Sequence, residues 1–167
     1  MDRDACLTTV AEIVGNLGFL TPMGVAEAIP ADARERVIEV TYAGACQGRI
    51  VIAVGPGLSR ELARNMLGIP PGDPVSEDDA DEALKELANV IAGNLLPMIV
   101  GVYKASLSPP AQVAPERFPE GDAICLDLAE GLLAVAIVEE GGLALDGSGG
   151  TSGTGRLDRK IDDGAAG

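Results

Sequence analysis

The chain has 167 residues, enough for one domain that buries roughly 70% of its unfolded surface. Its 26 acidic residues against 12 basic ones give a net charge of −14, and Phe19, Tyr42, Tyr103 and Phe118 are its only aromatics, so phosphate backbones are repelled and bases find little to stack on. Histidine is absent, which removes the commonest general base and metal ligand and every triad built on imidazole, and leaves carboxylates, amides or lysine for any chemistry.

Apolar residues make up 47% of the chain and are mainly Ala, Val, Leu and Ile, so the core is expected to be aliphatic. Cys6, Cys46 and Cys125 are scattered, odd in number and without CxxC spacing, which suggests neither a zinc site nor a disulfide framework. The start, MDRDACLTTV, lacks the basic and apolar segments of a signal peptide, and the runs Leu95–Tyr103 and Leu132–Val138 fall short of the roughly 20 residues that span a bilayer. The expectation is a soluble, cytoplasmic protein without membrane insertion.

In chain order, residues 4–17 have helical spacing with Leu7, Val10, Ile13, Val14 and Leu17 on one side, and Gly18 is placed to end the helix. Phe19–Ile29 is an irregular strand-like run broken by Pro22. Arg36–Tyr42 alternates as a strand, Arg49–Val54 is a continuously apolar one, and the glycine-bearing Ala43–Gly48 connects them as a hairpin. Pro56 opens a second helix over 57–67, closed by Gly68. Ser76 with Asp79 forms a capping-box-like start for a third helix, whose positive end suits Glu77, Asp78 and Asp79. That helix is predicted from Glu77 to Asn94, extending toward Gly101 with Pro97 as a kink or break. Ser106–Pro115, with three prolines, is a poor helix. Ala123–Leu128 and Leu132–Glu139 read as strands about the hairpin Ala129–Glu130–Gly131. The glycine-rich end predicts a disordered tail over 146–167 behind a domain over 1–145. Helices and strands in blocks predict an α+β fold: a mostly antiparallel sheet of five or six strands with three helices packed on it.

One helix carries a distinctive face. At about 100° per residue, Leu84, Leu87, Ile91 and Leu95 form a stripe that must pack on the sheet, and Glu82, Glu86, Asn89 and Gly93 form another almost opposite it. A solvated polar stripe is the ordinary reading of such a face. Two residues argue for more. Asparagine competes with the backbone for hydrogen bonds in mid-helix, and glycine costs about 1 kcal/mol there relative to alanine. Gly93 also leaves room for another protein to approach one turn beyond Asn89.

Glu86-Leu87-Ala88-Asn89 running into Val90-Ile91-Ala92-Gly93-Asn94, with Ser106-Leu107-Ser108-Pro109-Pro110 downstream, resembles the signature of the CheC/CheX/FliY family of chemotaxis phosphatases. The likeness extends loosely over residues 4–140. It departs at Glu82, where the family usually has Asp or Ser, and in a shorter connection to the prolines. The resemblance implies a CheX-like fold with an internal pseudo-two-fold and hydrolysis of the phospho-aspartate of a CheY-type receiver domain. Asn89 would orient the attacking water, Glu86 would contact a receiver lysine, and Glu82, Lys85 and Gly93 would border the partner. The Mg²⁺ would belong to the receiver, the protein having no cofactor of its own, and a homodimer is also implied. An amide suffices for such chemistry, since phosphoryl transfer depends mainly on positioning and electrostatics.

A second string, Glu61-Leu62-Ala63-Arg64 closing at Gly68, overlays the motif with Arg64 at the place of Asn89. It is either a chance likeness between good helix formers or an inactive repeat, because arginine offers a water no acceptor. Glu12–Asn16 is spaced one residue too far and reads as structural. Besides the phosphatase, a non-catalytic receiver-binding module and an assembly protein joined through a strand edge remain open.

Overall fold

In the computed structural model, which describes residues 1–101 and 104–141, the periodic segments become three helices laid on one face of a seven-stranded sheet. The helices are α1 (Arg3–Asn16), α2 (Leu58–Leu67) and α3 (Glu77–Val100). The strands are β1 (Pro22–Val25), β2 (Arg36–Gly44), β3 (Gly48–Val54), β4 (Ala105–Leu107), β5 (Ala111–Val113), β6 (Ile124–Leu128) and β7 (Gly131–Glu139). The tail expected over 146–167 lies outside the described residues.

The sheet order is β1-β6-β7-β3-β2-β4, with β5 also on β2, and every pairing is antiparallel. The long pairs hold the centre: β3 lies along β7 from Gly48↔Glu139 to Val54↔Leu133. Seven strands replace the five or six expected. The difference comes from Ser106–Pro115, where two three-residue strands flank the Pro109-Pro110 pair, each too short for a periodic signal.

This order is symmetric. The succession α1, β1, a 3₁₀ turn (Ala31–Ala33), β2, β3 recurs as α3, β4/β5, a 3₁₀ turn (Pro115–Arg117), β6, β7. In each half the strand after the helix crosses to the other half, β1 pairing with β6 and β4/β5 with β2. α2 is the connector between halves and has no counterpart among the described residues.

The main core lies between helices and sheet. Leu84, Leu87, Ile91 and Leu95 of α3 are fully buried there, against Ile38 and Val40 of β2 and Ile50 and Ile52 of β3. On the opposite face Ile29 and Phe118, each brought by a loop bearing a 3₁₀ turn, cover Val37, Val51, Ala53, Cys125, Ala134 and Ala136. Arg34 stacks 4.9 Å from the Phe118 ring centre.

Pro97 does not break α3: the helix runs through it to Val100, and the Gly101 N–H donates to the Pro97 carbonyl at 3.0 Å. A proline ring crowds the carbonyl four residues back, and here that carbonyl belongs to Gly93, exposed and without a side chain, so water can solvate the lost acceptor. The unbroken α3 is also the one described helix long and apolar enough to cross a membrane, although the separate apolar runs were too short. Its apolar side packs inside the fold and its other side bears carboxylates, as in a core helix of an α+β domain.

Candidate functional site

α3 is anchored at its start by several independent contacts. The Ser76 hydroxyl accepts from the Asp79 N–H at 3.0 Å, and Glu77, Asp78 and Asp79 occupy the positive first turn. Arg36, buried at the head of β2, pairs with both Glu77 and Asp81. Arg60 of α2 reaches Glu77 at 2.7 Å and Glu35 at 3.2 Å. The hydrogen bond from Arg60 is the main cause that holds the Glu77 carboxyl below its usual range, with burial opposing it. The helix is therefore fixed in rotation and register before the polar face begins.

Glu82, Glu86, Asn89 and Gly93 are all exposed, while Ala83, Leu84, Leu87, Ala88, Ile91 and Ala92 between them are buried. Lys85 is half-buried and pairs with Glu82 at 2.9 Å. Among the described residues the Glu86 carboxylate and the Asn89 amide have no hydrogen-bond partner. Asn94, by contrast, turns its amide back on its own helix, donating to the Val90 carbonyl at 2.8 Å. Among the described residues nothing beyond the backbone of its own helix lies within 4 Å of where a Gly93 side chain would begin.

A cavity of about 290 Å³ is lined by Glu82, Lys85, Glu86, Asn89, Pro109 and Pro110. The prolines reach it because Ser108 pins the preceding turn to β2: its N–H donates to the Thr41 carbonyl at 2.8 Å, and its hydroxyl accepts from the Thr41 N–H at 2.9 Å. β4 and β5 pair in succession along the edge of β2 away from β3, so Pro109-Pro110 between them, which have no N–H to pair, stand out toward α3. The structure thus gathers Glu82, Lys85, Glu86 and Asn89 into one concavity, with Gly93 one turn on. It adds a second cleft that sequence reasoning missed, about 300 Å³, lined by Met66, Leu67, Asp79, Glu82, Ala83 and Glu86. The signal for it was Leu67, an apolar residue at the end of α2 against the closing Gly68, and it is 57% exposed. Among the described residues no cluster of three or more His, Cys, Asp or Glu is placed to hold a metal.

The symmetry decides between the two readings of the α2 string, chance likeness and inactive repeat. The counterpart of α3 is α1, and the buried positions match: Cys6, Val10 and Val14 stand where Leu84, Ala88 and Ala92 do, and Gly15-Asn16-Leu17 where Gly93-Asn94-Leu95 do. In that frame Thr8 takes the place of Glu86 and Ala11 that of Asn89. The matching groove, about 550 Å³ between α1 and β1, is lined mostly by apolar groups, among them Leu7, Ala11, Met23 and Val25. Arg64 meanwhile closes α2, donating to the Pro70 carbonyl at 2.6 Å and lying 3.6 Å from Glu61. The Glu-Leu-Ala string common to α2 and α3 is chance between good helix formers.

The fold is shared with CheX of Desulfovibrio desulfuricans at 16% identity and a TM-score of 0.59, covering 82% of this chain and 97% of that one. CheX of Borrelia burgdorferi, in a complex with CheY, BeF3 and Mg²⁺, aligns at 16% identity and a TM-score of 0.60, covering 84% and 99%. A CheC-like protein of a Shewanella species aligns at 20% identity and 0.58, covering 84% and 100%. No curated protein matches the sequence. The family described as chemotaxis phosphatase CheX matches residues 37–130, a span that takes in β3, α3, the Ser108-Pro109-Pro110 turn and β6, and with more than half its length so matched the chain belongs to the CheX family.

Proposed function

We propose that this chain is a cytoplasmic phosphatase that docks a phosphorylated CheY-type receiver domain on the α3 face and hydrolyses its phospho-aspartate. The observation that carries the reading is the Glu86/Asn89 pair, exposed and unpartnered among the described residues on a helix anchored at its start by Ser76, Arg36 and Arg60. The membership in the CheX family and the CheY complex of the Borrelia neighbour support the same partner class.

The receiver brings the acyl phosphate and the Mg²⁺. This chain's own contribution is positional. The Asn89 carbonyl oxygen accepts a hydrogen bond from the attacking water and holds it in line with the phosphorus. The carboxylate of Glu86 receives a lysine ammonium of the receiver and so fixes the angle at which α3 enters. Glu82, Lys85 and Gly93 border the contact. An amide is a feeble base, but an in-line water near a metaphosphate-like centre needs orientation more than proton removal. Holding it on a helix clamped at Arg36 and Ser76 keeps it ready at little entropic cost.

The test is the decay of phosphate on a receiver domain with and without the protein. The wild type shortens the phosphate lifetime, and Asn89→Ala slows the catalysed decay at least about tenfold while still binding the receiver. An Asn89→Ala variant as fast as the wild type refutes the mechanism. Binding of the receiver with no change in its phosphate lifetime favours the non-catalytic module.

A homodimer is proposed on a separate observation. Among the described residues β1 is the free edge of the sheet at its end of the order, and Met23 and Val25 on it are 68% and 63% exposed. A mass in solution twice that of one chain supports pairing, and a monomeric mass excludes it.

A further inference from the structure

The cleft at the end of α2 adjoins the site and shares two of its residues. Glu82 and Glu86 line both this cleft and the cavity at Asn89, so a partner seated on α3 covers the two together. The walls differ in kind. Met66, Leu67 and Ala83 form an apolar side, and Asp79 and Glu82 form an acidic one. Lys85 engages the Glu82 carboxylate through Oε1 only, and among the described residues the Asp79 side chain has no ion-pair partner.

That combination selects its occupant. A purely apolar group would strip water from the carboxylates with no compensation, and an anion would be repelled. A second copy of this chain would bring a surface of net charge −14 against acidic walls. A lysine or arginine side chain meets both walls at once, since its hydrocarbon stem packs on apolar surface while its head keeps polar partners.

We infer that this cleft is the receiver's second point of attachment, taking a lysine or arginine whose stem lies on Met66 and Leu67 and whose head meets Asp79 and Glu82. The inference rests on the phosphatase reading and extends it: Asn89 sets the rate, and Leu67 selects which receiver is bound.

The experiment is steady-state kinetics on a phosphorylated receiver that the wild type dephosphorylates. Leu67 is 57% exposed, so trimming it leaves the core intact. Leu67→Ala raises KM about fivefold with kcat unchanged, and Leu67→Met recovers most of the loss. Glu82→Gln raises KM as well, and the double variant falls short of the product of the two, because one side chain of the partner spans both walls. An unchanged KM in Leu67→Ala, or independent effects in the double variant, overturns the inference and leaves the phosphatase intact. Should the wild type hasten the decay of no receiver, the phosphatase reading fails and the inference falls with it.

Discussion

Gly93 separates stability from function on the same helix. It lies inside the 24-residue α3, a position where glycine costs about 1 kcal/mol relative to alanine. A Cβ built there meets no described residue within 4 Å beyond the backbone of its own helix, so no clash among them offsets that gain. Gly93→Ala should therefore stabilise the protein by about 1 kcal/mol, which for a domain of roughly 140 residues raises Tm by about 3 °C. Gly93→Gln should stabilise by slightly less, glutamine being a good helix former. If the open space exists to admit a receiver, the two variants part company in the phosphatase assay. Alanine is tolerated, whereas glutamine lowers kcat/KM about tenfold, equal to ~1.4 kcal/mol, despite its higher Tm. Melting followed by circular dichroism and phosphate decay on the same preparations provide both readouts. A drop in Tm for Gly93→Ala would refute the helix-propensity argument, and a fully active Gly93→Gln would refute the docking one.

Two further outcomes follow from other parts of the molecule. Arg36→Met should cost about 2 kcal/mol in urea unfolding, less than for a wholly buried pair because Glu77 is largely exposed, and it leaves Asp81 without its cation. Tyr42 is pushed up to about 12, first by burial and then by Glu139, Cys46 and Glu140 nearby. A tyrosine whose folded pKa is raised contributes stability in full below its unfolded pKa, here 10.0, and loses it as pH climbs toward 12. In a Tyr103→Phe background, phenolate absorbance should appear only near the upper value and unfolding stability should decline across that window. Phenolate formation near pH 10 in the folded protein would contradict the burial.

The sequence was most legible where one physical signal dominated. α1, β2, β3, α2, β6 and β7 lie within a residue or two of their expected bounds because burial leaves in each either a periodic pattern or a compact apolar run bounded by turn residues. The Glu86/Asn89 face was legible for the same reason, as the outward complement of Leu84, Leu87, Ile91 and Leu95. Three things were not. β4 and β5 exist by virtue of β2 alongside them, which no local pattern records. Pro97 looked like a break because the compensating feature, the bare Gly93 carbonyl, matters only once α3 is known to expose that side. The repeat was sought in shared letters between α2 and α3, whereas the true counterpart, α1, keeps the burial pattern and almost none of the motif.

The exchange of strands between the two halves has a consequence for how the protein folds. β1 follows α1 but finds its hydrogen bonds on β6, and β4 and β5 follow α3 but find theirs on β2. Neither half can satisfy its own backbone until the other is in place, so neither is a foldable fragment. Most of its defining contacts join residues far apart in the chain, which favours slow folding and a single all-or-none transition. The helix that would meet the receiver thus opens only when the entire sheet does, and its amides near Asn89 should exchange with solvent at the rate of global unfolding rather than by local fraying.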